Sequence, residues 1–265
     1  MRLEIPAEFA DQSLTRACGA SRVPGNRVRL LKDARENYPA WIAAIESAEK
    51  WIHFETYIIH EDEAGRHFAD LLSAKAGEGI KVRLIYDWVG SLRNASGKFW
   101  RKLAAAGVDV RSFNRPNLSS PFGWANRDPR KLLSVDGRIA YISGLCIGQQ
   151  WVGYPDRGLE PWRDTGVEIE GPALEDIERA FASTWAVAGK ALSPREHRFA
   201  MPEPGTGDVA VRIIASAPNV GSVYRIDQLI TMLASKSNGS MMHAKTAVAD
   251  GMWARVGSVR RLKLT

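Results

Sequence analysis

Nine consecutive residues, Trp51-Ile52-His53-Phe54-Glu55-Thr56-Tyr57-Ile58-Ile59, are mostly aromatic or β-branched. Such a run suits a pleated surface better than a helix and reads as a buried strand. A buried strand needs cover, and the chain supplies it on both sides. Glu36 to Lys50 carries apolar residues at helical spacing (Trp41, Ile42, Ile45), and so does Ala64 to Ala76 (Phe68, Leu71, Leu72), which stops at Gly77 and Gly79. Val28 to Leu31, Lys81 to Tyr86, Val108 to Phe113 and Val167 to Ile169 read as strands; Gly97 to Ala106 and Ala173 to Val187 read as helices. Strands alternating with helices of this length predict an α/β fold with a largely parallel sheet. With 265 residues, 45% apolar and 25% charged, the chain has material for a core and is not of disordered composition.

Other signals set the organisation. Lys131 to Ile142 places Asp136-Gly137 between two apolar runs, which predicts a hairpin. The stretch 114–128 is loop-like, with Pro116, Pro121 and Gly123 as breakers. Pro202, Pro204, Gly205 and Gly207 mark a linker. Beyond it the pattern restarts: Val211-Arg212-Ile213-Ile214 echoes Val28-Arg29-Leu30-Leu31, Ser222 to Leu233 repeats the first helix, and Ala247-Val248-Ala249-Asp250-Gly251 repeats the apolar run closed by Asp-Gly. The expected division is a complete unit over residues 1–200 and a linker with a shortened second copy over 201–265.

The sharpest chemical feature lies in that second copy. His243-Ala244-Lys245-Thr246-Ala247-Val248-Ala249-Asp250 has the form H-x-K-x-x-x-x-D. On an extended strand His243 and Lys245 project from one face. An imidazole beside a fixed ammonium suits a phosphodiester, because one can attack phosphorus while the other neutralises non-bridging oxygens. Asp250, of opposite parity, reads as support for the turn. Glu55 stands inside an apolar strand, where an unpaired carboxylate is costly, so it either faces the site or makes an ion pair. Cys18 and Cys146 are too few for a disulfide framework or a zinc site, and no metal is expected.

With these blocks the chain resembles the phospholipase D superfamily, in its cardiolipin synthase-like branch. The carriers are Phe54-Glu55-Thr56-Tyr57-Ile58, Tyr86-Asp87-Trp88-Val89-Gly90-Ser91, Asn126-Arg127-Asp128-Pro129-Arg130-Lys131-Leu132-Leu133-Ser134-Val135-Asp136-Gly137, Gly144-Leu145, Trp162-Arg163-Asp164-Thr165 and Met241-Met242-His243-Ala244-Lys245. The resemblance implies an α/β/α sandwich, here one complete copy plus a remnant of a second. It implies two motifs converging on one site, with one His phosphorylated and the other protonating the leaving group, and no metal or cofactor. It assigns catalytic positions to His243, Lys245, Asp250, Lys131 and Asp136, and makes Asp164 the carboxylate that orients the first His. The implied substrate is a phospholipid resembling phosphatidylglycerol.

The first motif departs from that pattern, because position 129 holds Pro where the family has His. Proline neither attacks phosphorus nor carries a proton. The Asn near the end of each family motif is Cys146 in the first copy and Arg260 in the second. The expectation is therefore a phosphatidyltransferase or phosphodiesterase in impaired form. Its rivals are a catalytically dead lipid- or partner-binding relic, or a nuclease formed by two copies. Net charge, 36 − 30 = +6, favours anionic partners, and the lipid-acting branch disfavours nucleic acid. No apolar run approaches the roughly 18 residues of a membrane span. The acidic start lacks the basic stretch of a secretory signal, so the expected location is cytoplasmic, against the inner membrane surface. A broken copy leaves apolar edges and predicts self-association.

Overall fold

The computed structural model describes residues 11–12, 15–16, 18–116, 128–193, 196 and 206–215, together with the backbone of 247–249 and 253–255. The order is β1 (Val23–Lys32), α1 (Asp33–Glu46), β2 (Trp51–Thr56), α2 (Glu63–Gly77), β3 (Lys81–Asp87), α3 (Trp88–Ser91), α4 (Gly97–Ala105) and β4 (Asp109–Phe113). Then come β5 (Leu132–Val135), β6 (Ile139–Ser143), α5 (Gln149–Val152), a single 3-10 turn (Pro155–Arg157), β7 (Thr165–Glu170), α6 (Leu174–Val187), β8 (Val209–Val211), β9 (Ala247–Ala249) and β10 (Trp253–Arg255). Eight strands form one sheet in the order β4-β3-β2-β5-β6-β7-β1-β8, while β9 and β10 pair with each other. This is the mixed α/β sandwich expected, with helices on both faces.

The expectation of a largely parallel sheet is corrected. Only β2–β3 and β3–β4 run parallel; β2–β5, β5–β6, β6–β7, β1–β7 and β1–β8 are antiparallel. The reason lies in the connections. Helices α2 and α4 cross over between β2, β3 and β4, whereas β5 and β6 are joined by a tight turn that can only reverse the chain. In that three-residue turn Asp136 (φ 55°) and Gly137 (φ 64°) are both left-handed, and Arg138 N closes it by donating to the Val135 carbonyl at 2.9 Å.

Alternation along the strands sends side chains to two cores. One, beneath α1, α2 and α4, gathers Trp41, Ile45, Phe54, Phe68, Leu72, Leu84 and Leu133. The other, beneath α6, gathers Ile85, Leu132, Val167, Ile169, Ile177, Phe181 and Trp185. Burying these large side chains contributes roughly 1.5–3 kcal/mol each. Helix α2 starts where Asp62 Oδ1 accepts from Gly65 N at 3.0 Å, an N-cap that also orients the chain arriving from β2.

The strand expected at 211–214 is corrected: the strand here is β8, which ends at Val211 and joins β1 at the sheet edge through an irregular register, while 212–214 are not strand. The expected second helix, Ser222 to Leu233, lies outside the described residues, as do His243, Lys245 and Asp250. Strands β9 and β10 flank the second Asp-Gly pair in antiparallel register.

Candidate functional site

Strand directions decide which of the candidate residues can meet. Because β2, β3 and β4 run together, their carboxyl ends share one rim of the sheet. Antiparallel β5 and β7 begin at that rim, and β6 and β1 end there. Lys131, Asp164, Glu55, Asp87 and Asp33 therefore all lie at the carboxyl rim, the edge where open α/β sheets place ligands. Asp136 lies at the other end of β5. Five residues at about 3.3 Å each put it about 16 Å from Lys131.

Lys131 is buried, and its Nζ donates to the Pro129 carbonyl at 2.7 Å and stands 5.4 Å from the Tyr57 ring centre. Its backbone carbonyl accepts from Ser143 N at 3.3 Å, which ties the start of β5 to the end of β6. By alternation Lys131 shares the face of Leu133, toward α1 and α2. Asp164 shares the face of Gly166, whose missing Cβ makes room for Asn37 of α1, so it faces the same way. Asp164 is itself buried, and its Oδ1 accepts from Thr165 N at 2.9 Å. The backbone passes Asp164 so closely at Gly144 that a Cβ there would stand 2.0 Å from Oδ1. One ammonium and one carboxylate thus occupy the same face of the same rim.

Asp33 fixes the Asp164 segment. Its backbone is left-handed (φ 55°), a conformation Asp tolerates better than most residues. In that pose Asp33 N donates to the Asp164 carbonyl at 2.8 Å and Asp33 Oδ1 accepts from Asp164 N at 2.9 Å. Its other oxygen meets Arg163 Nε at 2.7 Å.

Glu55 takes the second of the two roles open to it. It lies across from Leu132 in the β2–β5 register, hence on the α6 face, opposite to Lys131. There Arg130 Nε reaches Glu55 Oε1 at 2.7 Å and Asp128 Oδ1 at 3.2 Å. Burial, joined by the neighbouring Asp128, holds the Glu55 carboxyl well above the usual carboxylate range against the pull of Arg130. Asp87 completes the tie: one oxygen accepts from Asp128 N at 2.9 Å, the other from Gly90 N at 2.7 Å. The 128–131 segment is thereby clamped to the ends of β2 and β3.

Asp136 has a different employment. Its carboxylate accepts from the backbone N–H groups of Glu49, Lys50 and Trp51, each at 2.8 Å. Burial pushes its pKa up, but these three bonds and Arg138 outweigh that and hold it below the usual value. The geometry makes it a backbone anchor at the amino end of β2, at the opposite end of β5 from the Lys131 rim.

Sequence reasoning missed Asp33, the Arg130 clamp and a buried cluster under α6. In that cluster His53 Nδ1 and Glu178 Oε2 are 2.6 Å apart, and Ser134 Oγ donates to Glu178 Oε1 at 2.6 Å. Trp51 Nε1 adds a bond at 3.2 Å, and Arg83 Nη1 donates to His53 Nε2 at 3.1 Å. Since an arginine only donates, His53 Nε2 accepts, and Nδ1 carries the proton given to Glu178. Both ring nitrogens are committed, so this imidazole has no lone pair for chemistry. The signal was available: Glu178 sits beside Ile177 and between Leu174 and Phe181 on the core-facing stripe of a helix. Among the described residues no group of His, Cys, Asp and Glu could hold a metal ion, and no helix is long and apolar enough to cross a membrane.

A family profile described as "Cardiolipin synthase, PLD-like domain" matches residues 41–185. Among curated proteins, cardiolipin synthase A of Pseudomonas syringae is 34% identical over 199 residues, covering 73% of this chain and 40% of the relative. Cardiolipin synthase A of Pseudomonas putida is 36% identical with the same coverage. The chain thus spans about 40% of the length of these relatives. Among solved structures, phosphatidylserine synthase of Haemophilus influenzae superposes with a TM-score of 0.52 at 15% identity, covering 66% of this chain and 41% of that one. At such identity the likeness speaks to the fold alone.

Proposed function

We propose, from the premise that the chain belongs to the cardiolipin synthase, phospholipase D-like domain family, that its carboxyl rim grips the phosphodiester of a phosphatidylglycerol-like lipid. We further infer that the chain transfers the phosphatidyl group poorly. The observation that carries this reading is the state of the rim: the buried Lys131 ammonium lies against the backbone carbonyl of residue 129, where the side chain is proline.

In the proposed reaction a nitrogen lone pair of His243 forms a bond to phosphorus while the phosphorus–oxygen bond to the leaving alcohol breaks. Lys131 and Lys245 offset the charge on the non-bridging oxygens. The departing alkoxide then needs a proton, and residue 129 cannot give one, so water must. An acceptor hydroxyl next bonds to phosphorus as the bond to His243 breaks, and its proton passes to the hydroxide left by the first step. Loss of a positioned acid costs about 10²–10⁴-fold in rate, which is why the proposed turnover is slow. Asp164, which the family resemblance assigns to orienting an imidazole, has no imidazole at 129 to orient.

Incubation with phosphatidylglycerol carrying labelled phosphorus, followed by alkaline denaturation, tests this reading. Slow labelling of the protein is expected, lost in His243→Ala and reduced at least about tenfold in Lys131→Ala. Labelling indifferent to both changes overturns it.

A further inference from the structure

We infer that the segment formed by α5 and the loop after it, residues 149–163, seats in the headgroup–acyl boundary of a phospholipid bilayer and holds the Lys131 rim against it. This inference rests on the phospholipid reading above and names the surface on which that reading would operate.

Three of the eight large apolar side chains exposed among the described residues fall in this one segment: Val152 (43%) at the end of α5, and Leu159 (55%) and Trp162 (52%) in the loop. Isolated exposed apolar residues are ordinary; a cluster is not. Nor does the exposure come from fraying. Tyr154 and Leu159 exchange backbone bonds of 2.9 and 3.1 Å, and Trp162 N donates to the Gln150 carbonyl at 2.9 Å. Gln149 N donates to Asp62 Oδ2 at 2.7 Å, and Arg163 is held by Asp33. Underneath, the buried Trp151 meets Trp162 edge-on at 5.2 Å. A loop tied at both ends and through its middle holds these side chains outward at little further entropic cost.

The composition selects the occupant. Tryptophan and tyrosine with leucine, valine and arginine are the residues of a membrane interface, where a ring is half apolar and half wet. Within the loop Asp156 and Glu160 balance Arg157 and Arg163, so local attachment is by apolar insertion, while the +6 of the whole chain supplies attraction to anionic headgroups. Position agrees. The chain leaves the sheet after β6 and returns at Asp164, so both roots of the segment stand at the rim that would receive a lipid phosphorus.

The test uses the 265-residue chain and vesicles of equal parts phosphatidylglycerol and phosphatidylcholine. The chain is expected to sediment with the vesicles, and Val152→Ser/Leu159→Ser to lose at least about tenfold in affinity with an unchanged circular dichroism spectrum. Brominated acyl chains are expected to quench tryptophan emission less in Trp162→Phe. Absence of vesicle binding, or binding that the double variant leaves intact, overturns the inference. So does a double variant that turns a dimer into a monomer without lipid, since the face would then cover a second copy. Labelling of the protein by a short-chain, water-soluble phosphatidylglycerol separates the two readings. Labelling without vesicle binding removes only the docking loop; vesicle binding without labelling removes only the catalytic reading.

Discussion

At the residue scale, Lys131 and Asp136 show how one short motif divides its labour. Both belong to the same hairpin, yet they stand at opposite ends of β5 and touch different parts of the molecule. Lys131 presents an ammonium at the rim; Asp136 collects three backbone N–H groups, of Glu49, Lys50 and Trp51, where the chain enters β2. Asp136→Asn keeps the size and the tolerance for a left-handed backbone but removes the charge. It is expected to cost about 1–3 kcal/mol at neutral pH. Because the folded carboxyl is held below its usual value, this stability is present above the unfolded pKa near 3.9 and is lost as pH falls through the folded value. Urea titrations from neutral to acid pH should show the two proteins converging in acid; a gap that stays constant, or none at neutral pH, would contradict the anchor role.

Elements are held in register by close approaches and buried ties. Gly144 leaves no room for a side chain against Asp164, so Gly144→Ala must push β6 from the carboxylate that opens β7. A loss of at least about 2 kcal/mol is expected from such a forced shift, read as a lowered melting temperature; an unchanged one would contradict the packing described. Between sheet and α6, Glu178 joins Ser134, Trp51 and His53, and against the cost of burial these bonds hold its pKa below the usual value. Glu178→Gln is expected to cost about 1.5–3 kcal/mol in chemical denaturation, and a change under about 0.5 kcal/mol would show the network to be dispensable. How much of this the sequence discloses depends on the kind of signal. Strands β2 to β6 and helices α2, α4 and α6 were legible because alternation and helical spacing are local. The antiparallel majority of the sheet was not, since strand direction is set by connections whose path no periodicity records. Lys131 and Asp164 were legible from motif and resemblance, but their common face emerged only from parity counted across β5, β6 and β7. The pairing of Glu55 with Arg130 follows from the same count, one residue out of step with Lys131.

At the scale of the whole molecule, the rim is, on the proposed reading, a frame without its proton carrier. Asp87 and Arg130 clamp the 128–131 segment, Asp33 clamps Asp164, and position 129 between them holds a proline. A frame of this stiffness predicts that restoring one side chain restores function, because positioning is already in place. Pro129→His measured for phosphatidyl transfer from labelled phosphatidylglycerol is the direct test. A rise of at least about tenfold over the unaltered chain, lost again when His243→Ala is added, is the predicted result. An unaltered chain that already turns over rapidly, at a rate indifferent to Pro129→His and to His243→Ala, would contradict it.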